Sequence, residues 1–270
     1  MLDTHDGARK RLETLELHSL AVRRVISAIR ARLNENISLS EMAAVAYMSR
    51  YHFNRTFREV TGLPPRRFLS KLRVEAATRM LLNSDSSVTD ICMDVGYTSL
   101  GTFIRRFSGA LGISPSKLRS LRRSSTERLI HRVERNAEAA GPLRRASVTG
   151  RIDAPPSFSG PIFVGLFSKP IPEGAPAACA TLLQPGGYVM SAVRKGRYHI
   201  FALGLPWPDR LDGFFRYETA LRGGGQVITV LDGNVHCDTI ALRAAAATDP
   251  PVLLNLPLLL GKKHELREAV

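Results

Sequence analysis

Two stretches of this chain, about fifty residues apart, repeat one pattern, and that repeat limits the fold more than any other feature. In residues 87–118, Ser87 and Thr89 are placed to cap a helix, their side-chain oxygens taking up free backbone N–H groups at its start. Val88, Ile91, Cys92 and Val95 then recur at helical spacing, and Gly96 tolerates the left-handed conformation that ends such a helix. A second helix starts near Ser99, burying Phe103 and Phe107 while Leu100, Thr102, Arg105 and Arg106 face outward. The earlier copy has Ser38 and Ser40 as caps, with Leu39, Met42, Ala43, Val45 and Ala46 inward. After a break at Tyr47–Ser49 comes a helix from Arg50 with Phe53 and Phe57 at the matching positions. The exits match too: Thr61-Gly62-Leu63-Pro64-Pro65 and Leu111-Gly112-Ile113-Ser114-Pro115. Two short helices joined by a tight turn, the second showing arginine and small polar residues, read as a helix-turn-helix.

Between the copies, Phe68, Leu69, Leu72, Ala76, Met80 and Leu81 fall at spacings of three and four, so residues 65–83 read as one long helix with proline at its start. A stiff connector matters physically. Two recognition helices reach successive major-groove segments only when held about one helical turn apart, ~34 Å. Leu20–Leu33 carries Val22, Val25, Ile26, Ile29 and Leu33 on one stripe and reads as the first packing helix, with the charged residues 1–18 as a leader or extension. Charge follows the same division. Residues 1–150 hold 26 Lys and Arg against 14 Asp and Glu, so most of the formal net charge of +14 sits in the helical half, as a phosphate-facing surface requires.

At these residues the chain resembles the AraC/XylS family of transcription regulators, whose DNA-binding domain is a pair of helix-turn-helix units. The resemblance rests on Asp90-Ile91, Val95-Gly96-Tyr97, Phe103-x-Arg105-x-Phe107 and Gly112-Ile113-Ser114-Pro115 in the second unit. In the first it rests on Ser49, His52-Phe53-x-Arg55-x-Phe57 and Thr61-Gly62-x-Pro64-Pro65. It covers roughly residues 20–123 and implies double-stranded DNA as partner.

Base reading needs side chains on the outward face of each second helix, near its start. In the first unit these are Arg50, Tyr51, Asn54 and Arg55. Arginine grips guanine, and asparagine adenine, through paired hydrogen bonds. The resemblance implies base contacts at Tyr51, Asn54 and Arg55. His52 is expected on the packed side. In the second unit the candidates are Ser99, Leu100, Gly101, Thr102, Arg105 and Arg106. Leu100 offers only apolar contact and Gly101 no side chain, so this unit leans on Arg105, Arg106 and DNA shape. Arg66, Arg67, Ser114 and Lys117 sit at helix starts after the exits, where backbone N–H groups and cations meet phosphate.

Residues 119–150 are strongly basic and read as a tether, with Leu129, Ile130 and Val133 able to extend a helix until Gly141-Pro142. Beyond it the period changes. Runs at 147–153, 161–168, 177–183, 188–193, 197–203, 226–231 and 234–242 are short, rich in Val, Ile, Tyr, Phe and Thr, and punctuated by Gly and Pro, which argues for an antiparallel sandwich. Gly150-Arg151-Ile152, Gly187-Tyr188 and Gly196-Arg197-Tyr198 resemble carboxypeptidase regulatory-like (transthyretin-like) domains, although Arg194-Lys195 stands where two prolines are usual. Pro206–Gly225 does not fit that pattern and reads as an inserted loop or short helix.

Three cysteines (Cys92, Cys179, Cys237) in no paired spacing give no disulfide framework or zinc cluster. His199, His236, Cys237 and Asp238 do not make a metal site, because neighbours on a strand face opposite ways. Neither Cys179 nor Cys237 lies in the Pro-Cys-His-Arg motif of the DNA-repair methyl acceptors that share this type of DNA-binding domain. Trp207, Tyr198, Phe201, Phe214 and Phe215 could form an aromatic platform or a core. The N-terminus shows no signal peptide, and the apolar run 252–260 is too short to span a bilayer, which needs ~20 residues.

The expectation is therefore a two-domain chain. An all-α double helix-turn-helix domain (18–123) and a basic linker (124–147) precede an all-β antiparallel sandwich (148–262). The expected function is sequence-specific, cytoplasmic transcription regulation without catalysis, cofactor or metal. The second half would serve a small-molecule effector, self-association or contact with RNA polymerase. A DNA-binding enzyme and an architectural DNA-binding protein are the alternatives.

Overall fold

Capping at Ser38 and Ser87 sets the start of each repeated unit. In the computed structural model, which describes residues 3–122, 126–138, 146–207, 213 and 219–253, both serines form a full capping box. The Ser38 hydroxyl accepts from the Glu41 N–H and Glu41 accepts back from Ser38 N–H; Ser87 and Asp90 do the same. The helical half runs α1 (Asp3–Ala31), α2 (Leu39–Val45), α3 (Arg50–Thr61), α4 (Pro65–Asn83), α5 (Val88–Asp94), α6 (Leu100–Leu111) and α7 (Pro115–Leu121). The charged leader is continuous with the first packing helix.

The turns are equivalent in backbone. Met48 N–H returns to the Ala43 carbonyl, and Tyr97 N–H to the Cys92 carbonyl, closing each first helix on a left-handed residue. That residue is Tyr47 (φ 55°) in one unit and Gly96 (φ 86°) in the other. Both second helices end on a left-handed glycine, Gly62 (φ 75°) and Gly112 (φ 73°). Phe53, Phe57, Phe103 and Phe107 are fully buried, each pair of rings about one turn apart with centroids at 5.4 and 5.6 Å. The α1 stripe of Val22, Val25, Ile26 and Ile29 joins Phe53, Phe57, Phe68 and Leu72 in the first core, while Ile91, Cys92, Phe103 and Phe107 join Ala77 and Leu81 in the second. So α4 serves both.

The expected single stripe on α4 is too narrow. Lys71, Val74, Glu75, Ala77 and Thr78 are buried as well: Val74 and Ala77 lie in the second core, which Leu203, Leu205, Ala220 and Leu253 of the β-rich region join, while Lys71 and Glu75 meet Glu173 and Arg222 of that region. Its strands are β1 (Val148–Asp153), β2 (Ile162–Phe167), β3 (Ala178–Leu182), β4 (Gly186–Met190), β5 (Gly196–Gly204), β6 (Leu221–Val230), β7 (Val235–His236), β8 (Ile240–Ala241) and β9 (Arg243–Ala244). One sheet runs β4-β1-β7 with β8 also on β1; the other runs β3-β2-β5-β6-β9. Val148, Ile152, Tyr188 and Met190 from the first meet Ile162, Val164, Ile200 and Ala202 from the second in one core. Most pairings are antiparallel, as expected, but β1 runs parallel to β7 and β8.

The stretch expected as an insertion at 206–225 ends differently: Leu221–Gly225 is the first half of β6, and residues 208–212 and 214–218 lie outside the described residues. Three consecutive glycines hide the strand's alternation; packing explains Gly223 and Gly224, and a left-handed backbone (φ 96°) explains Gly225. A Cβ on Gly224 would stand 2.3 Å from the Ile200 carbonyl oxygen, beside a register shift between His199 and Phe201. Within the basic tether, α8 (Thr126–Glu138) buries Val133 and lies against β3; residues 123–125 and 139–145 lie outside the described residues.

Candidate nucleic-acid interface

Because α3 and α6 are both twelve residues and begin at equivalent serines, their positions correspond one to one with an offset of fifty. Ser49 and Ser99 accept from the N–H groups of His52 and Thr102. At 100° per residue, the buried phenylalanines put Tyr51, Arg55 and Glu59 on the centre of the opposite face of α3, flanked by Asn54 and Arg58. The same rule puts Gly101, Arg105 and Gly109 on the centre of α6, flanked by Ile104 and Ser108.

The structure leaves both faces open. Arg50, Tyr51, Asn54 and Arg55 are exposed, Tyr51 at 85%. On α6, Leu100, Gly101, Arg105 and Arg106 are exposed, Thr102 is half-buried, and Ser99 is exposed but already engaged as a cap. Arg55 lies 3.8 Å from Glu59, a solvated pair that a phosphate or base edge can displace. His52 is half-buried with its ring edge-on to His18 at 5.5 Å, on the packed side as expected.

Three further residues face outward that the sequence candidates do not include: Arg58 and Glu59, one turn beyond Asn54 and Arg55 on α3, and Ile104, immediately before Arg105 on α6. The helical period carried one turn further finds the first two; Ile104 is apolar and so gives no polar signal. Ile104 occupies the position of Asn54, so α6 presents an apolar side chain where α3 presents an amide. Glu59 places a negative charge on the α3 face.

At the helix starts, Arg66 and Lys117 are exposed, and Ser114 caps α7 by accepting from Lys117 N–H. Arg67 is different. It pairs with Glu173 in the β-rich region, so it holds the two halves together and is not free for phosphate. Arg119 and Arg122, expected in the tether, instead bind the carbonyls of Ser86 and Ser84 and fasten α7 to the entrance of the second unit.

The other tempting residues do not come together. Tyr198 and Phe201 lie on opposite faces of β5, and Phe214 and Phe215 are outside the described residues. His236 meets Thr149 at 3.1 Å, while Cys237 is buried. Among the described residues, no group of three or more His, Cys, Asp or Glu could hold a metal ion, and no helix is long and apolar enough to cross a membrane.

Residues 42–121 match the family model of a helix-turn-helix domain. An HTH-type transcriptional regulator of Haemophilus influenzae is 38% identical over 81 residues, which is 30% of this chain and 27% of that protein. The HTH-type transcriptional activator AarP of Providencia stuartii is 28% identical over 104 residues, 38% of this chain and 77% of that one. This chain thus spans only about a quarter of the Haemophilus relative's length. Among solved structures, the DNA-binding domain of AdpA in complex with a target DNA is 35% identical, covers 38% of this chain and 93% of that chain, and superposes with a TM-score of 0.37.

Proposed function

We propose that this chain is a sequence-specific, DNA-binding transcription regulator in which α3 and α6 enter successive major-groove segments of one duplex. The observation that carries the reading is that, among the described residues, the outward side chains of α3 and α6 are exposed although the β-rich region packs against α4. Arg55 and Asn54 supply donors for guanine and adenine edges; Tyr51 packs on sugar or a thymine methyl. Arg50, Arg66, Lys117 and Arg106 neutralise phosphate, and the N-cap Ser99 and the first-turn Thr102 lie at the DNA backbone. Leu100 and Ile104 make apolar contact. The basic excess of residues 1–150 supplies the sequence-independent part of the affinity. The match over residues 42–121 and the regulator and activator names of the relatives support the reading.

In the same reading, residues 18–123 form the DNA-binding domain, 124–147 the linker, and 148–262 a sandwich of the transthyretin-like kind, for which the core shared by two sheets speaks. That half regulates and does not catalyse. The protein works in the cytoplasm, where it senses a small molecule, self-associates or meets RNA polymerase.

Selection from random duplexes with the purified chain tests this. The expected product is a motif with two short elements about one helical turn apart, ~10 base pairs. Salt-sensitive binding to all duplexes with no enriched motif would leave an architectural DNA-binding protein instead.

A further inference from the structure

The five-stranded sheet has two sides, and only one faces the core shared with the other sheet. Tyr198, Ile200 and Ala202 of β5 point into that core, whereas Phe201 and Leu203 point away from it. On the second side lies a cavity of about 510 Å³, inside the ~300–1,000 Å³ range of small-molecule sites. Phe163, Phe167 and Phe201 line it, the last two edge-on at 5.9 Å. Residues 172–176 and 250–253 form the opposite wall, through Pro172, Gly174, Pro176, Pro250 and Leu253.

One end of this apolar chamber is charged. Arg243 grips the Asp249 carboxylate with two bonds of 2.7 and 3.0 Å, and the Ala246 N–H adds a third at 2.7 Å. Arg222 gives Nη1 to the Pro250 carbonyl at 2.9 Å and stands 3.8 Å from Asp249. Glu75 of α4 also acts on Arg222, and is itself approached by Arg30 at 3.8 Å. Of the charged residues that line the cavity, two guanidiniums, Arg222 and Arg243, stand against one carboxylate, Asp249. Burial lowers the pKa of Arg222, so an anion arriving beside it would relieve a disfavoured cation.

We infer that this cavity is a binding site for a small molecule with an aromatic or other apolar body and a single carboxylate. Its wall is tied to the DNA-binding half. Ile171 sits in the core of the first unit, Glu173 pairs with Arg67, and the same carboxylate acts on buried Lys71. An occupant that moves residues 172–176 therefore moves contacts of α4. This last step rests on the reading of the chain as a DNA-binding regulator; the site itself does not.

Cys179 gives a direct readout, because it lines the cavity and is exposed while Cys92 and Cys237 are buried. With the full chain and 4-phenylbutyrate as probe, the reaction of Cys179 with a disulfide reagent should slow at least about tenfold at saturation, and the neutral 4-phenylbutanamide should need a roughly tenfold higher concentration. Thr181→Trp, which fills the cavity, should abolish protection. No protection by either probe, equal protection by the amide, or protection surviving in Thr181→Trp would each overturn the site. Should that variant not melt cooperatively, Cys179→Trp, read by calorimetry, takes its place with the same two outcomes. The probe should also shift the Kd for selected DNA at least about threefold in the unaltered chain and not in the filled variant. An unchanged Kd with Cys179 protected would overturn the link to α4. Failure to select any DNA without probe would instead strike the regulator reading and leave the cavity result standing.

Discussion

The first and second helix-turn-helix units share their caps, their turns and their buried phenylalanines, yet differ in what they show to the outside. α3 presents Tyr51, Asn54, Arg55, Arg58 and Glu59, a dense polar face. α6 presents Gly101, Ile104, Arg105, Ser108 and Gly109, a face with one long cation and two positions without a side chain. Within turns of the same backbone, the left-handed residue also differs, Tyr47 in one and Gly96 in the other. Interior positions of a bihelical unit are fixed by packing, so the two copies agree there. Outward positions are constrained only by what they meet. The comparison suggests that one unit reads base edges with side chains while the other brings its backbone close to the duplex.

The largest expected effect is at the second turn. A Cβ on Gly96 would lie 2.6 Å from the Arg73 guanidinium and 2.8 Å from the Asn34 carbonyl oxygen, at a φ of +86° that other residues rarely adopt. Arg73 cannot simply leave, since it holds the Leu33 and Glu35 carbonyls at 3.0 and 2.7 Å and so ties the end of α1 to α4. Backbone strain of ~1–2 kcal/mol plus two weakened hydrogen bonds of ~1 kcal/mol each put Gly96→Ala at about 3–4 kcal/mol of lost stability. Urea titration measures it. A loss under ~1 kcal/mol would mean the two turns are interchangeable.

The units also differ in how the β-rich region holds them. It meets the second unit's core through Leu203, Leu205, Ala220 and Leu253, all apolar. It meets the first through Ile171, the Arg67–Glu173 pair and Lys71, which is 5% exposed. Burial pushes Lys71 down to about 8 from 10.5, partly opposed by Glu173. Below pH 8 the lysine is protonated folded and unfolded, so the full penalty for the buried charge, about 3 kcal/mol, is present. Between about 8 and 10.5 the unfolded chain binds more protons, and stability rises with pH. Lys71→Met should therefore stabilise the protein by up to about 3 kcal/mol at pH 7 and flatten that rise. Denaturant melts at pH 7 and 9.5 check both. A less stable variant at pH 7 would show that the ammonium is needed by Glu173.

For DNA, Arg55→Ala should cost about 1–3 kcal/mol for the selected site, with relaxed base choice at one position. Arg105→Ala should lower affinity for selected and random duplexes alike, because neighbouring Gly101 and Ile104 leave it little help in reading an edge. Gel-shift competition separates the two. Equal loss of specificity in both variants would erase the difference between the faces.

Much of this was legible in the sequence where buried spacing and turn chemistry coincide. The Phe53–Phe57 and Phe103–Phe107 pairs, the capping serines and the exit glycines place four helices and their outward faces. The central role of α4 was harder, because Lys71 and Glu75 look like a solvated face until something covers them. What covers them lies more than ninety residues away in sequence, and local periodicity carries no record of it. The same distance hides the role of Arg67, whose partner Glu173 is on a loop more than one hundred residues away. In β6, Gly223 and Gly224 allow close approach of neighbouring backbone and Gly225 a left-handed conformation, and the alternation they erase is the local signal of a strand.

A smaller effect tests the bare face directly. A Cβ on Gly101 or Gly109 would meet nothing within 4 Å, and neither has a left-handed backbone. Glycine within a helix costs ~0.5–1 kcal/mol relative to alanine, so each change to alanine should raise stability by about that amount. If the duplex packs against that face, the same changes should weaken DNA binding. Melting and gel shift on one pair of variants give both signs. Alanine that stabilises and leaves affinity intact would show that α6 stands off the groove.

The smallest effect belongs to the first turn. Tyr47 pays ~1–2 kcal/mol for its left-handed backbone, which Tyr47→Gly would relieve. Against this, glycine adds ~0.5–1 kcal/mol of chain entropy to the unfolded state, and the change removes the Arg24 guanidinium from over the Tyr47 ring at 5.4 Å, worth ~0.5–1 kcal/mol on an exposed surface. The three nearly cancel, and the expected change is within about 0.5 kcal/mol of zero. Thermal melts resolve this when run beside Gly96→Ala. A loss above ~1 kcal/mol would mean that the Arg24–Tyr47 contact closes the first turn, as backbone shape and the Arg73 anchor close the second.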